Sequence, residues 1–119
     1  MKAIFIDDDS KTNFYHKIIL EEHQLSNQAT FYQSPEKALA YLKKNKHNGA
    51  DILFLDINMP RMSGWEFLKE LDKADINIPT IYIVSTSMNP RDVALSKKHP
   101  MVTAFIPKPI DIDDIVNYF

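Results

Sequence analysis

The sequence predicts a doubly wound α/β domain: a parallel sheet with helices on both faces. Three observations carry the prediction. Apolar runs of strand length alternate about five times with segments of helical spacing, three of those runs are apolar on both faces, and the connections between them are short. Strands buried on both sides of a parallel sheet read as continuous apolar runs. Strands and helices alternating with short links form right-handed crossovers that cover both faces.

Ala3-Ile4-Phe5-Ile6, Ile52-Leu53-Phe54-Leu55 and Ile81-Tyr82-Ile83-Val84 are the three continuous runs. Thr30-Phe31-Tyr32 and Ala104-Phe105-Ile106 are weaker and are expected at the sheet's edges. In the first helical segment Phe14 pairs with Ile18 and Tyr15 with Ile19 at i,i+4, and Asp9 or Ser10 stands at its start as N-cap. Ser34-Pro35 opens the second helix as N-cap and first-turn proline, Ala38, Tyr41 and Leu42 stripe it, and Asn48-Gly49 closes that region. Phe67, Leu68 and Leu71 stripe a third helix. A fourth, from about Pro90 to Lys98, has a poorer stripe in Val93, Ala94 and Leu95. Ile112, Ile115, Val116 and Phe119 read i, i+3, i+4, i+7 in the last.

A length of 119 residues suits one domain with one sizeable core. With no cysteine, disulfides, zinc–thiolate sites and cysteine nucleophiles are excluded. A formal charge of -2 predicts no nucleic-acid partner. The apolar runs fall far short of the roughly 18 residues that a membrane span needs, and no signal-peptide cleavage site is visible. The expectation is a cytoplasmic domain that engages no membrane. Two glycines leave no room for a dinucleotide or P-loop fingerprint. His16, His23, His47 and His99 lack close metal spacing and are expected at the surface or partly buried. Lys43, Lys44 and Lys46, and likewise Lys97, Lys98 and His99, sit where cations offset a helix C-terminus. Trp65 reads as packing.

Ligands of open α/β sheets bind beyond the carboxyl ends of the strands. Asp7, Asp8 and Asp9 follow the first strand, Asp56 the third, Ser85 and Thr86 the fourth, and Lys108 the fifth. Two unit charges about 4 Å apart repel by roughly 4 kcal/mol at an effective dielectric of 20. Carboxylates sharing one crevice must therefore bind a cation, take up a proton or splay apart. Mg²⁺ suits such oxygen ligands together with phosphate oxygens. A metal, a hydroxyl and a lysine converging on one carboxylate are the equipment of phosphoryl transfer.

These residues resemble the receiver domain of two-component response regulators, of the chemotaxis-receiver kind. Ile6-Asp7-Asp8-Asp9 is similar to its acidic pair. Leu55-Asp56-Ile57-Asn58-Met59-Pro60 with Ser63-Gly64 is similar to its D-x-x-M-P segment and downstream glycine. Val84-Ser85-Thr86 and Phe105-Ile106-Pro107-Lys108-Pro109 resemble its switch-hydroxyl and K-P segments. The match in order and spacing extends over essentially the whole chain.

The resemblance implies a flavodoxin-like five-stranded sheet of order 2-1-3-4-5 and a receiver unit of residues 1–119. No output domain is expected within this chain, which reads equally as a stand-alone receiver or as a receiver cut from a longer regulator or hybrid kinase. It implies Asp56 as phosphoacceptor, and Mg²⁺ (or Mn²⁺) on Asp7, Asp8, Asp56 and the backbone carbonyl of Asn58, Asp7 acting mainly through water. It further implies Lys108 as partner of a phosphoryl oxygen, aided by a cis bond to Pro109. Ser85 would be the hydroxyl donor of the active state, and Phe105 the aromatic that turns inward with it. The implied donor is a histidine kinase or histidine phosphotransferase. Output would pass to a protein docking on the face of the fourth helix, fifth strand and fifth helix, bearing Phe105 and Ile110, with the chain a monomer or a weak phosphorylation-dependent dimer. The chain departs from the family's usual residues at Thr86, which narrows the expected pocket, and at Ser63, Ala104 and Pro107. With Asn58 and Ser87, these bear on the rate of phosphorylation and the lifetime of the phosphate.

Two other functions fit parts of the pattern. A phosphatase resembling the haloacid dehalogenase class would use the Asp-x-Asp of Asp7 and Asp9, leaving Asp56 and Lys108 accessory. A pseudo-receiver would share the fold and dock without being phosphorylated.

Overall fold

The computed structural model describes residues 1–86, 89–108 and 110–119. The chain runs β1 (Ala3–Ile6), α1 (Ser10–Glu22), a single 3₁₀ turn (Ser26–Gln28), β2 (Ala29–Tyr32), α2 (Pro35–Lys44), β3 (Ile52–Leu55), α3 (Gly64–Lys73), β4 (Thr80–Ser85), α4 (Pro90–Lys98), β5 (Ala104–Pro107) and α5 (Ile112–Asn117). All five strands are parallel, in the order β2-β1-β3-β4-β5. The weaker apolar runs, β2 and β5, are the edges, as expected.

The two-residue period of a strand divides the core between the two faces. Ile4 and Ile6 of β1, Leu53 and Leu55 of β3, and Ile81 and Ile83 of β4 point to one face and meet Leu39 and Leu42 of α2 and Phe67, Leu68 and Leu71 of α3. Ala3, Phe5, Ile52, Phe54 and Val84 point to the other and meet Ile19 and Leu20 of α1 and Ile115 of α5. On that second face Phe31, Phe5 and Phe54 stack across neighbouring strands, with ring centroids 4.8 and 4.3 Å apart. Fully burying such a side chain contributes roughly 1.5–3 kcal/mol.

The helix ends follow local chemistry. Asp9 caps α1 by accepting from the Lys11 amide (2.9 Å), and Ser34 caps α2 ahead of Pro35. Ser63 accepts from the Glu66 amide (3.1 Å) at the start of α3. The frequently acidic position before the glycine is therefore used here as a helix cap. α1 and α3 end through Gln24 and Asp75 in the left-handed region (φ 60° and 57°), each followed by an amide bonded five residues back, Leu25 to Leu20 and Ile76 to Leu71. α2 stops at Asn45, short of Asn48-Gly49.

Three expectations need correction. The apolar pairs of α1 do not mark its buried side: Ile19 is buried with Leu20, whereas Phe14, Tyr15 and Ile18 are exposed. His16 is neither at the surface nor partly buried but only 3% exposed. Ile110 is buried in the core with α1 and α5, so it is not part of an output surface. The weak stripe of α4 has a structural counterpart: Leu95 is exposed, and Ser96, its hydroxyl donating to the Val93 carbonyl, is the helix's buried residue.

Candidate functional site

The carboxyl ends of β1, β3, β4 and β5 bring the polar residues together. Backbone bonds just beyond the ladder hold these ends in place: the Asp7 amide donates to Tyr32, Asp56 to Ile6 and Lys108 to Ser85, at 3.1, 3.0 and 2.9 Å. Asp7 and Asp56 are buried and Asp8 is half-buried. The three carboxylates each offer an oxygen within 4.8 Å of the others. Lys108 lies over them, paired with Asp7 and 3.4 Å from Asp56 Oδ1.

One ammonium against three carboxylates leaves a negative excess in a poorly solvated crevice. Burial, then the charge of Asp7, push the Asp56 carboxyl up to about 6, with Lys108 opposing them. An all-oxygen set with uncompensated charge fits a hard divalent cation. Asp9 stands outside this group. Its carboxylate serves the amide of Lys11 and the hydroxyl of Thr12, and the Lys11 bond holds it below the usual carboxylate range. That placement leaves the Asp-x-Asp phosphatase arrangement without its second acid.

The β3–α3 loop is pinned from both sides. Ile57 and Met59 are buried, while Asn58 between them is exposed. The Gly64 amide donates to the Ile57 carbonyl at 2.8 Å. Ser85, the last residue of β4, is fully buried and pairs in register with Pro107. Phe105 is half-buried against the core on the α2–α3 face. Thr86 is exposed and lines, with Tyr15, His16 and Lys108, an open pocket of about 430 Å³ beside the site. Ser87 and Pro109 lie outside the described residues.

Two residues behind the carboxylates were missed in sequence. Asn13 donates through Nδ2 to the carbonyls of Asp7 (2.9 Å) and Tyr32 (3.4 Å), fastening the acidic loop to the sheet. His16 packs on Phe5, and burial drives its imidazole down to about 4. Asn13, His16 and Leu20 stand at i, i+3, i+7, so the buried stripe of α1 was present in the sequence with polar residues on it.

The family model of the response regulator receiver domain matches residues 3–119. The chain belongs to that family, the phosphoacceptor modules of two-component signalling. It is 30% identical over 118 residues to the heme response regulator HssR of Staphylococcus saprophyticus, covering 96% of this chain and 47% of that protein. It is 31% identical over 114 residues to the DNA-binding transcriptional regulator NtrC of Klebsiella pneumoniae, covering 96% and 23%. The chain thus spans less than half the length of these two relatives. Among solved structures, a two component response regulator from Cytophaga hutchinsonii superposes with a TM-score of 0.82 at 25% identity, covering 98% of this chain and 91% of that one. Chemotaxis protein CheY4 of Vibrio cholerae shares the fold at a TM-score of 0.78 and 21% identity, covering 98% and 93%. Receiver domains bind Mg²⁺ through acidic residues and interact with histidine kinases or phosphotransferases. Among the described residues no helix is long and apolar enough to cross a membrane.

Proposed function

We propose that residues 1–119 act as one receiver unit in the cytoplasm, taking a phosphoryl group from the histidine of a kinase or phosphotransferase onto Asp56. The observation that carries this reading is the convergence of Asp7, Asp8, Asp56 and Lys108 at the carboxyl edge of a receiver sheet. An Asp56 oxygen attacks phosphorus, the P–N bond breaks, and its electron pair stays on the departing imidazole nitrogen. Asp7, Asp8, Asp56 and the Asn58 carbonyl would hold Mg²⁺, which neutralises charge on the phosphoryl oxygens when bound. Lys108 supplies the other positive charge, and its partners Asp7 and Asp56 keep it aimed at the acceptor. The domain is a phosphoacceptor that promotes its own phosphorylation and dephosphorylation, without a separate substrate.

The phosphoryl group adds about -1.5 to -2 charge and three strong acceptors next to β4. In this reading it draws in the Ser85 hydroxyl, and Phe105 moves into the space released. That favours one of two pre-existing arrangements of α4, β5 and α5, on which an output protein docks. The half-buried Phe105 and exposed Leu95 support that face. Self-association in this reading is at most a weak dimer formed on phosphorylation.

Intact mass after incubation with Mg²⁺ and acetyl phosphate tests the proposal. The expected result is one Mg²⁺-dependent phosphoryl adduct on wild type and none on Asp56→Ala. No adduct on wild type, once fast turnover is ruled out by donor consumption, would favour a docking pseudo-receiver. Donor consumption that survives Asp56→Ala and is lost in Asp7→Ala would make Asp7 the nucleophile of a phosphatase.

A further inference from the structure

A small cavity lies behind the carboxylates, between α1 and the sheet. Phe5 and Phe54 form its apolar wall, Asn13 and His16 of α1 face them, and Asp7 and Asp56 close the end toward the site. It has about 10 Å³ of room for the centre of a water molecule. One ordered water needs roughly 10–15 Å³ by that measure, and two to four polar partners.

The partners are at hand. Asn13 Oδ1 and both ring nitrogens of His16 are buried without a hydrogen-bond partner. Buried polar groups are rarely left so, because each then forfeits its hydration with nothing in exchange. Asn13 Nδ2 is already committed to Asp7 and Tyr32, which fixes the direction of Oδ1. A neutral imidazole brings one donor and one acceptor, and water can answer either.

We infer that this cavity is the site of one ordered water, held by Asn13 Oδ1 and a His16 ring nitrogen, whose remaining hydrogen bond supports the Asp7–Asp56 pair from within. His16 is thereby a positioning residue. It touches no reacting atom, but it steadies the carboxylates from the sheet side while Lys108 does so from the pocket. Its ring also lines the open pocket beside Lys108 and Thr86, so it forms the wall between the internal water and solvent. The part of this inference that concerns metal rests on the function proposed above.

The water itself is tested on wild type, by a crystal structure of the metal-free protein fine enough to resolve waters. The expected result is one water within about 3 Å of Asn13 Oδ1 and of a His16 nitrogen. An empty cavity, or a His16 ring bonded directly to protein, would overturn the inference. The positioning role is tested by calorimetric titration with Mg²⁺ alone. His16→Leu is expected to bind roughly threefold to tenfold more weakly, the effect of one hydrogen bond, and His16→Gln to recover most of the loss. Equal affinity in His16→Leu, or no recovery in His16→Gln, would overturn that role. The wild-type water decides the site even where a variant does not fold. Absence of Mg²⁺ binding by wild type would count against the proposed function, and the cavity reading would still be decided by its water.

Discussion

Gly64 touches the backbone of Asp56 so closely that a Cβ built on it would lie 2.6 Å from the Asp56 carbonyl oxygen. The same Cβ would stand 3.0 Å from the Ile57 Cα, and the Gly64 amide already donates to the Ile57 carbonyl. The obstructing atoms are main chain, so they yield only if the acidic loop moves. Gly64→Ala is therefore expected to destabilise the fold by roughly 1–3 kcal/mol. It should also slow adduct formation on Asp56 by roughly tenfold or more, because displacement of a reacting group by about 1 Å is costly to rate. Urea unfolding and the mass assay check the two effects; a variant with wild-type stability and rate would show that the loop is not held by this contact.

The features legible in sequence were those set by local order. Continuous apolar runs such as Ile52 to Leu55 can only be buried on both sides, and residues following such strands gather at one edge whatever packs around them. Asp7, Asp8, Asp56, Ser85 and Lys108 are thus grouped by their positions after the strands alone. Ser34-Pro35 carried its own capping chemistry. What could not be read was which side of a helix faces the sheet when apolar residues surround it. α1 carries Phe14, Tyr15 and Ile18 outward and Asn13 and His16 inward, an arrangement decided by tertiary contact with β1 and not by the helix. Ile110 belongs to the same class: a loop residue reads as surface until its partners on α1 and α5 are known.

The raised carboxyl of Asp56 makes stability fall as pH rises. Its unfolded value is near 3.8 and its folded value about 6, so the folded state binds more protons in between. Stability is highest below about pH 4 for this group, declines through pH 6, and is level above. Asp56→Asn has no such charge to bury. It should exceed wild type by on the order of 2 kcal/mol at pH 7 without divalent metal, with the gap closing toward pH 4. Excess Mg²⁺ should raise wild type and narrow the gap at pH 7. Thermal unfolding across this range, with and without Mg²⁺, is the measurement. A gap independent of pH would mean that Asn stabilises through packing.

His16 acts with the opposite sign. Burial lowers its folded value from 6.5 to about 4, so the unfolded state binds the extra proton. The contribution is full above about pH 6.5 and is lost as pH falls toward 4. Asp56 gains in part of the same window, which flattens the wild-type profile. Measured in the Asp56→Asn background, His16→Leu should therefore remove a loss of stability between pH 6.5 and 4 of up to about 3 kcal/mol. Parallel profiles with and without His16 would place its titration outside this window.

Trp65, the single tryptophan, joins α3 to α4. Its Nε1 donates to Asp92 Oδ1 at 3.3 Å, and its ring stacks on His99 with centroids 6.0 Å apart. α4 otherwise buries little beyond Ser96, so this pair of contacts is a substantial part of what seats it. An element held by few buried contacts opens readily and is easily re-seated by a change at its N-terminal end. In the proposed switch, phosphorylation at Asp56 acts on the end of β4, the strand that precedes α4 in the chain, and any shift of that helix must alter the surroundings of the Trp65 ring. Its fluorescence should change on adding acetyl phosphate with Mg²⁺ to wild type, and not in Asp56→Asn under the same conditions. Trp65→Phe keeps the ring but removes the donor to Asp92, and should speed amide exchange in α4 by several-fold, an effect of one modest hydrogen bond. If the emission of fully phosphorylated wild type matched that of the unmodified protein, α4 would not move relative to α3, and the switch would have to pass through β5 and α5 alone.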